Sequence, residues 1–155
     1  MIKNISNLGD AALYCDFGNE VNQKTNIKVI KYFEHIKNLK IKGINNLTPS
    51  YNKLIISFDL NIINFKELKK KIEDINIPEK DIKKDHKIIK IPTCCDDEFA
   101  LDIERLSSKL KLTKKEILEK YLNKEYFCYM TGFIAGMPFL GDIDKKIRLE
   151  RLETP

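Results

Sequence analysis

Cys94 and Cys95 stand side by side and run directly into Asp96, Asp97 and Glu98. A cysteine attacks only as its thiolate, and acidic neighbours raise the thiol pKa, so this setting disfavours a catalytic cysteine. The pair does not make a zinc site either. No Cys-x-x-Cys occurs, the remaining cysteines are Cys15 and Cys128, and the only histidines are His35 and His86. The three carboxylates suit a divalent cation or the first turn of a helix, where negative charge meets the helix dipole. The sequence favours the helix. His35 falls on a predicted helix beside Glu34, and His86 lies in a charged stretch. Neither has a carboxylate or hydroxyl at useful spacing, so no catalytic residue is assigned and no metal is expected. A phosphate-binding Gly-x-x-x-x-Gly-Lys and a dinucleotide fingerprint are both missing from the sequence.

Gly132, Gly136, Pro138 and Gly141 are interleaved with Phe133, Met137, Phe139 and Leu140. Glycine permits positive φ and close backbone approach. This spacing predicts a tightly folded, largely buried loop. Such a loop either lines a pocket and offers backbone groups to a ligand or forms a packed corner, and both readings stand. The apolar run from Tyr126 to Gly141 falls short of the roughly 20 residues of a membrane helix. A buried strand followed by a tight loop is expected.

The elements that would hold these residues fall into two groups. In the first, Ala12 to Phe17 alternates as a strand that Gly18 ends. A helix from about Asn22 to Leu39 carries a stripe of Ile27, Ile30, Phe33 and Leu39 with Val29 and Ile36, and Gly43 is its stop signal. Ile44 to Thr48 and Tyr51 to Leu60 are strands. Asn64 caps a helix with Phe65, Leu68, Ile72 and Ile75 on one face, and Pro78 closes it. Lys87 to Ile91 is a further strand, which either closes this sheet or opens the second group. The order strand, helix, strand, strand, helix, strand is the ferredoxin-like βαββαβ pattern. Pro78 to His86 reads as the linker, which divides the chain into residues 1–86 and 87–155.

In the second group, Glu98 to Leu110 has helical spacing. Thr113 and Glu116 form a capping box for a further helix, and Tyr126 to Phe133 is a buried strand. The rest, to Pro155, is loop-like. Two short helices and one strand cannot cover that apolar run, and a lone strand exposes its edges. The missing pairing is expected from sequence after Pro155 or from a partner chain.

The chain of 155 residues has 43% hydrophobic and 33% charged residues and a net charge of +5. Lys, Asn and Ile are abundant, as AT-rich codons would make them. Neither half is basic enough for nucleic-acid binding. The run Lys69, Lys70 and Lys71 is a solvated helix face. Leu106 to Tyr121 offers a second reading, a helix-turn-helix with Lys114 and Lys115 on phosphates, but its turn lacks glycine and its second helix carries Glu116 and Glu119. The opening residues lack the apolar stretch of a signal peptide. With no disulfide or metal pattern, a reduced, cytoplasmic setting is expected.

Several short motifs occur in one order along the chain: Gly9, Asp10 and Ala12, then Phe17 and Gly18; Pro49 and Tyr51, with Leu54 and Asp59; Ile91 and Pro92, with Glu98, Phe99 and Asp102; Leu112 and Thr113. Last comes Tyr126, Gly132, Phe133, Ala135, Gly136, Met137, Pro138, Phe139, Leu140 and Gly141. Together they resemble the family that includes the 5-oxoprolinase B subunit, the kinase A inhibitor and allophanate hydrolase subunit 1, the carboxyltransferase subdomains C and D. The chain departs from that pattern where Tyr121 replaces a histidine, Ala135 a proline, Met137 a phenylalanine and Phe139 a tyrosine. Family members continue past the region of Arg151 and Pro155 into glycine-rich segments that complete a cyclophilin-like β-barrel.

The resemblance implies an α+β chain. A ferredoxin-like domain is followed by the start of a cyclophilin-like barrel. It also implies a B subunit that acts with A and C subunits to open 5-oxo-L-proline to L-glutamate at the expense of ATP. ATP is used by the complex. Gly132, Phe133, Gly136 and Pro138 would line a substrate pocket, and Arg151 would meet an anionic group. The alternatives are an inhibitor that docks on a sensor histidine kinase and the small DNA-binding helix-turn-helix protein. A homo-oligomer is left open, and neither nucleic acid nor membrane is an expected partner.

Overall fold

The computed structural model describes residues 1–77 and 87–153. The expected linker from Pro78 to His86 lies outside the described residues, as does Pro155. The described residues form two units, one within Met1–Asp85 together with Tyr129–Phe139, the other within His86–Cys128 together with Leu140–Pro155.

The first unit is built on four antiparallel strands: β1 (Asn4–Asn7), β2 (Ala12–Asp16), β3 (Ile44–Pro49) and β4 (Lys53–Phe58), in the order β1-β2-β4-β3. Between β2 and β3 runs α1 (Gln23–Leu39), and α2 (Phe65–Glu73) follows β4. Side chains alternate across a strand. The inward set of the two central strands is therefore Leu13 and Cys15 of β2 with Leu54, Ile56 and Phe58 of β4, all buried. Leu13 pairs with Ile56, and Cys15 with Leu54. Val29, Tyr32 and Ile36 of α1 and Leu68 and Ile72 of α2 join Ile5, Phe17 and Ile63 in one apolar cluster with them.

Local signals set the helix ends. Asn22 accepts a hydrogen bond from the Thr25 amide at 2.8 Å and Asn64 from the Glu67 amide at 3.0 Å, so each caps its helix. The buried face of α1 is Asn26, Val29, Tyr32 and Ile36, about one position out of phase with the expected stripe. Leu39 is exposed. The helix stops at Lys40, in the left-handed region at φ 48°, not at Gly43. Gly43 (φ 97°) has a different job: a Cβ there would lie 2.6 Å from the Ile63 side chain.

Two expectations for this unit fail. Lys87 to Ile91 is not a strand: it forms no ladder, and Ile88, Ile89 and Ile91 are exposed. Its residue types favour a strand, but without a neighbouring edge the backbone groups go to water. The position next to β2 is filled by β1 instead. Its sequence, Asn-Ile-Ser-Asn, has one apolar residue and gives no strand signal.

In the second unit, α3 (Ile103–Leu110) and α4 (Lys114–Leu122) are neighbours in the chain. Lys111, at φ 58°, ends α3. The Thr113–Glu116 capping box is complete, with the Thr113 amide donating to Glu116 Oε2 at 2.8 Å. The helix expected from Glu98 begins only at Ile103. Residues 96–102 form turns, in which the Phe99 amide donates to the Asp96 carbonyl at 2.9 Å. Asp96, Asp97 and Glu98 are thus not the first turn of a helix. The strand expected from Tyr126 is β5 (Phe127–Thr131), and its partner is β6 (Pro138–Gly141); Tyr129–Phe139 of this hairpin belong to the first unit. One edge of β5 is paired from within the chain, where sequence beyond Pro155 or a partner had been expected. A 3-10 turn at Lys145–Ile147 interrupts the loop-like remainder and buries Ile147.

Candidate functional site

The first candidate site is the hairpin between β5 and β6. Its inner part is anchored on the first unit by Tyr129, which is buried. Asn26, itself buried on α1, places its Nδ2 2.9 Å from the Tyr51 carbonyl and 3.0 Å from those of Ser50 and Tyr129. An amide has two hydrogens, so two donors serve three acceptors. The Tyr51 ring lies 5.6 Å from that of Tyr129 and 6.2 Å from that of Phe139, the latter edge-on. Ser50 Oγ donates to Met130 Sδ at 3.4 Å. The turn after β3 and the late glycine-rich segment, separate motifs in the sequence, are therefore one packed structure.

Beyond that anchor the hairpin is open. The Gly132 amide donates to the Met137 carbonyl at 3.1 Å and closes the loop. The Ile134 amide donates to the Gly132 carbonyl at 2.8 Å around Phe133, whose φ is 66°. A three-residue turn with positive φ at an aromatic residue is strained. The expectation of a largely buried loop does not hold. Phe133 is 90% exposed, and Ile134, Gly136 and Pro138 are also exposed. The contacts with the Ser50–Tyr51 turn come from Tyr129, Met130 and Phe139 at the base of the hairpin, and the apolar residues of the tip lie beyond them.

The second candidate is a cavity of about 710 Å³ within the second unit. Phe99, Leu106, Ile117 and Ile147 supply apolar walls, and Asp102, Arg105, Glu150 and Arg151 are its charged residues. Arg105 Nη2 donates to the Glu150 carbonyl at 2.9 Å, and its Nη1 lies 3.7 Å from the Asp102 carboxylate. Arg151 is exposed. Gly132, Phe133, Gly136 and Pro138 thus belong to the first unit and Arg151 to the second.

Cys94 Sγ donates to Asp96 Oδ2 at 3.5 Å. Asp97 is paired with Lys114, so one of the two lysines available to a DNA phosphate is already engaged. Among the described residues no group of three or more His, Cys, Asp or Glu side chains could hold a metal ion. No helix among them is long and apolar enough to cross a membrane. His35 is exposed.

A polar cluster in the first unit was not legible from spacing. Asp16 Oδ1 accepts from Lys53 Nζ at 2.5 Å and from the Gly18 amide at 2.6 Å. Lys53 and Asn52 donate to the Gly18 carbonyl at 2.8 and 2.7 Å. The Lys53 hydrogen bond, the Gly18 amide and the charges of Lys53 and Lys3 hold the Asp16 carboxyl below its ordinary value. The cluster fixes the loop after β2. Only the strand register, Asp16 opposite Lys53, reveals it. Burial alone pushes the Cys15 thiol up to about 12, which makes it inert.

The family model for the carboxyltransferase domain, subdomain C and D, matches residues 3–155. The B subunit of 5-oxoprolinase from Bacillus subtilis (strain 168) is 29% identical over 163 residues, covering 97% of this chain and 68% of its own length. The B subunit of 5-oxoprolinase from Haemophilus influenzae is 27% identical over 117 residues, covering 74% of this chain and 50% of its own. The crystal structure of TTHA0988 superposes with a TM-score of 0.76 at 22% identity, covering 92% of this chain and 28% of that one. The last similarity carries the fold alone. The chain spans half to two-thirds of the two 5-oxoprolinase relatives and about a quarter of the TTHA0988 chain.

Proposed function

Because the chain belongs to the carboxyltransferase domain, subdomain C and D, family, we propose that it is part of a 5-oxoprolinase B subunit, which with A and C subunits opens 5-oxo-L-proline to L-glutamate at the expense of ATP. Two relatives that carry the 5-oxoprolinase name support the reading. In fold terms, the first unit is the ferredoxin-like half and the second the start of a cyclophilin-like barrel.

The observation that carries the reading is the hairpin. Its base is locked to the first unit by Asn26 and Tyr129, while its tip holds Phe133 in a strained turn facing solvent. An exposed tip can line a pocket only against another surface, which is what one component of a larger enzyme offers. In this proposal Gly132, Phe133, Gly136 and Pro138 of the first unit contribute backbone and ring surface to a pocket formed against a partner subunit, and in the second unit Arg151 meets an anionic group.

In this reading ATP is used by the complex. Free backbone amides at a helix N-terminus are one common phosphate site. Those of α1, α2 and α4 are capped by Asn22, Asn64 and Thr113, whereas Asp102 at the head of α3 makes no side-chain cap hydrogen bond. The proposal routes no ATP-dependent step through a residue of this chain. Four free cysteines suit the cytoplasmic setting that the reading requires.

The test is reconstitution with A and C subunits and measurement of ATP-coupled glutamate formation. Turnover should require this chain, and Arg151→Ala should lower kcat/KM for 5-oxo-L-proline by about tenfold or more, the loss expected of a charge-assisted contact. Turnover by A and C alone, or unchanged kinetics in the variant, would contradict the assignment.

A further inference from the structure

Arg151 lies in a stretch, residues 148–153, that belongs to no helix or strand. Among the described residues no backbone hydrogen bond holds this stretch, and Arg151 has no ion-pair partner. A side chain carried by such a segment has no fixed direction of its own. What holds the segment is the Arg105 guanidinium, which reaches from α3 to the Glu150 carbonyl at 2.9 Å, one residue before Arg151. The Asp102 carboxylate lies 3.7 Å from the other terminal nitrogen of that guanidinium, as an ion pair. The Arg105 side chain is 32% exposed, so it works partly shielded from water. Both arginines line the same cavity.

We infer that Arg105 is a positioning residue: by fixing the Glu150 carbonyl it directs Arg151 to a ligand carboxylate in the cavity of the second unit. The division of labour follows from the partners. Arg105 already holds the Glu150 carbonyl and lies in an ion pair with Asp102, whereas Arg151 has its fork of donors to offer an anion. The cavity volume suits a small molecule; among its charged lining residues Asp102 is paired with Arg105, and the mostly apolar wall beside Arg151 suits a compact apolar body bearing one carboxylate. The choice of 5-oxo-L-proline as that molecule rests on the function proposed above. The arrangement of the two arginines does not.

The experiment is calorimetric titration of the chain with 5-oxo-L-proline and with 2-pyrrolidinone, the same lactam ring without the carboxylate. Wild type should prefer 5-oxo-L-proline by about tenfold, the worth of one charge-assisted contact. Arg151→Ala and Arg105→Ala should each erase that preference and leave the affinity for 2-pyrrolidinone unchanged. If Arg105 acts through Arg151, the double variant is no worse than Arg151→Ala alone. Arg105→Lys, which keeps the charge and one donor, should retain part of the preference, and it carries the test if the alanine variant melts early. No carboxylate preference in wild type, or additive losses in the double variant, would overturn the inference. An intact preference with no ATP-coupled turnover in the reconstituted complex sinks the proposed function and leaves the arginine pair standing. Turnover with an unchanged KM in Arg105→Ala does the reverse.

Discussion

The first unit gathers thirteen buried apolar side chains, from Ile5 to Ile72, into one cluster, whereas the described residues of the second bury two, Ile117 and Ile147. Apolar content does not make the difference, because Ile88, Ile89, Ile91, Phe99 and Leu101 all belong to the second unit and all face solvent. What differs is the supply of surfaces. Two central strands offer a continuous apolar face that two helices can cover, and every residue added to that layer has a partner. A pair of short helices and an extended segment offer no such face. A core is a property of closure, and hydrophobic residues without it remain on the surface.

The contrast is broken or upheld most directly by two alanines. Leu54 is fully buried on β4 and Leu101 is 88% exposed. Leu54→Ala should cost about 2–5 kcal/mol, while Leu101→Ala should stay within about 0.5 kcal/mol, both read from urea unfolding. A loss at Leu101 as large as that at Leu54 would mean that the second unit's apolar side chains are packed in solution.

A smaller effect sharpens the point where the hairpin meets the first unit. Asn26→Leu keeps the bulk of the side chain but removes the donor shared by the Ser50, Tyr51 and Tyr129 carbonyls. Losing these hydrogen bonds from a buried amide should cost about 1–3 kcal/mol. Hydrogen exchange should rise at β5 and in the turn around Ser50 while α2 stays protected. Uniform loss of protection would show that Asn26 supports the whole unit and not the hairpin.

These sites also show what the sequence could carry. The alternation of Leu54, Ile56 and Phe58 and the spacing of Leu68 and Ile72 are strong because each residue's neighbours lie a few positions away. The Thr113–Glu116 box is strong for the same reason. Asn26 is invisible on that scale: its partner Tyr129 lies 103 residues on, and a polar residue on an apolar stripe reads as an interruption. β1 is invisible because its single apolar residue, Ile5, acquires meaning only opposite Cys15. Lys87 to Ile91 fails in the opposite sense, with strong strand propensity and no edge to satisfy. Motif order led to the hairpin and to Arg151. Arg105 was missed, since the carbonyl it holds is 45 residues away and carries no side-chain signature.

The smallest expected effect concerns acid. The Asp16 carboxyl is held below its ordinary value by Lys53, the Gly18 amide and Lys3. A carboxyl whose folded pKa is depressed contributes stability that is complete above its unfolded value, near pH 4. That contribution is lost as the pH falls through the folded value, because protonation then breaks the pair with Lys53. Glu116 is held low as well, by the Thr113 amide and hydroxyl, but it is fully exposed and belongs to the capping box of α4. The two units should therefore respond to acid independently. Between about pH 5 and pH 2, Asp16→Asn should flatten the loss of hydrogen-exchange protection in β2 and β4 and leave α4 as in wild type, whereas Glu116→Gln should act on α4 alone. An acid response of β2 and β4 that persists in Asp16→Asn would place the titrating group elsewhere and remove the ion pair from the account of the first unit's stability.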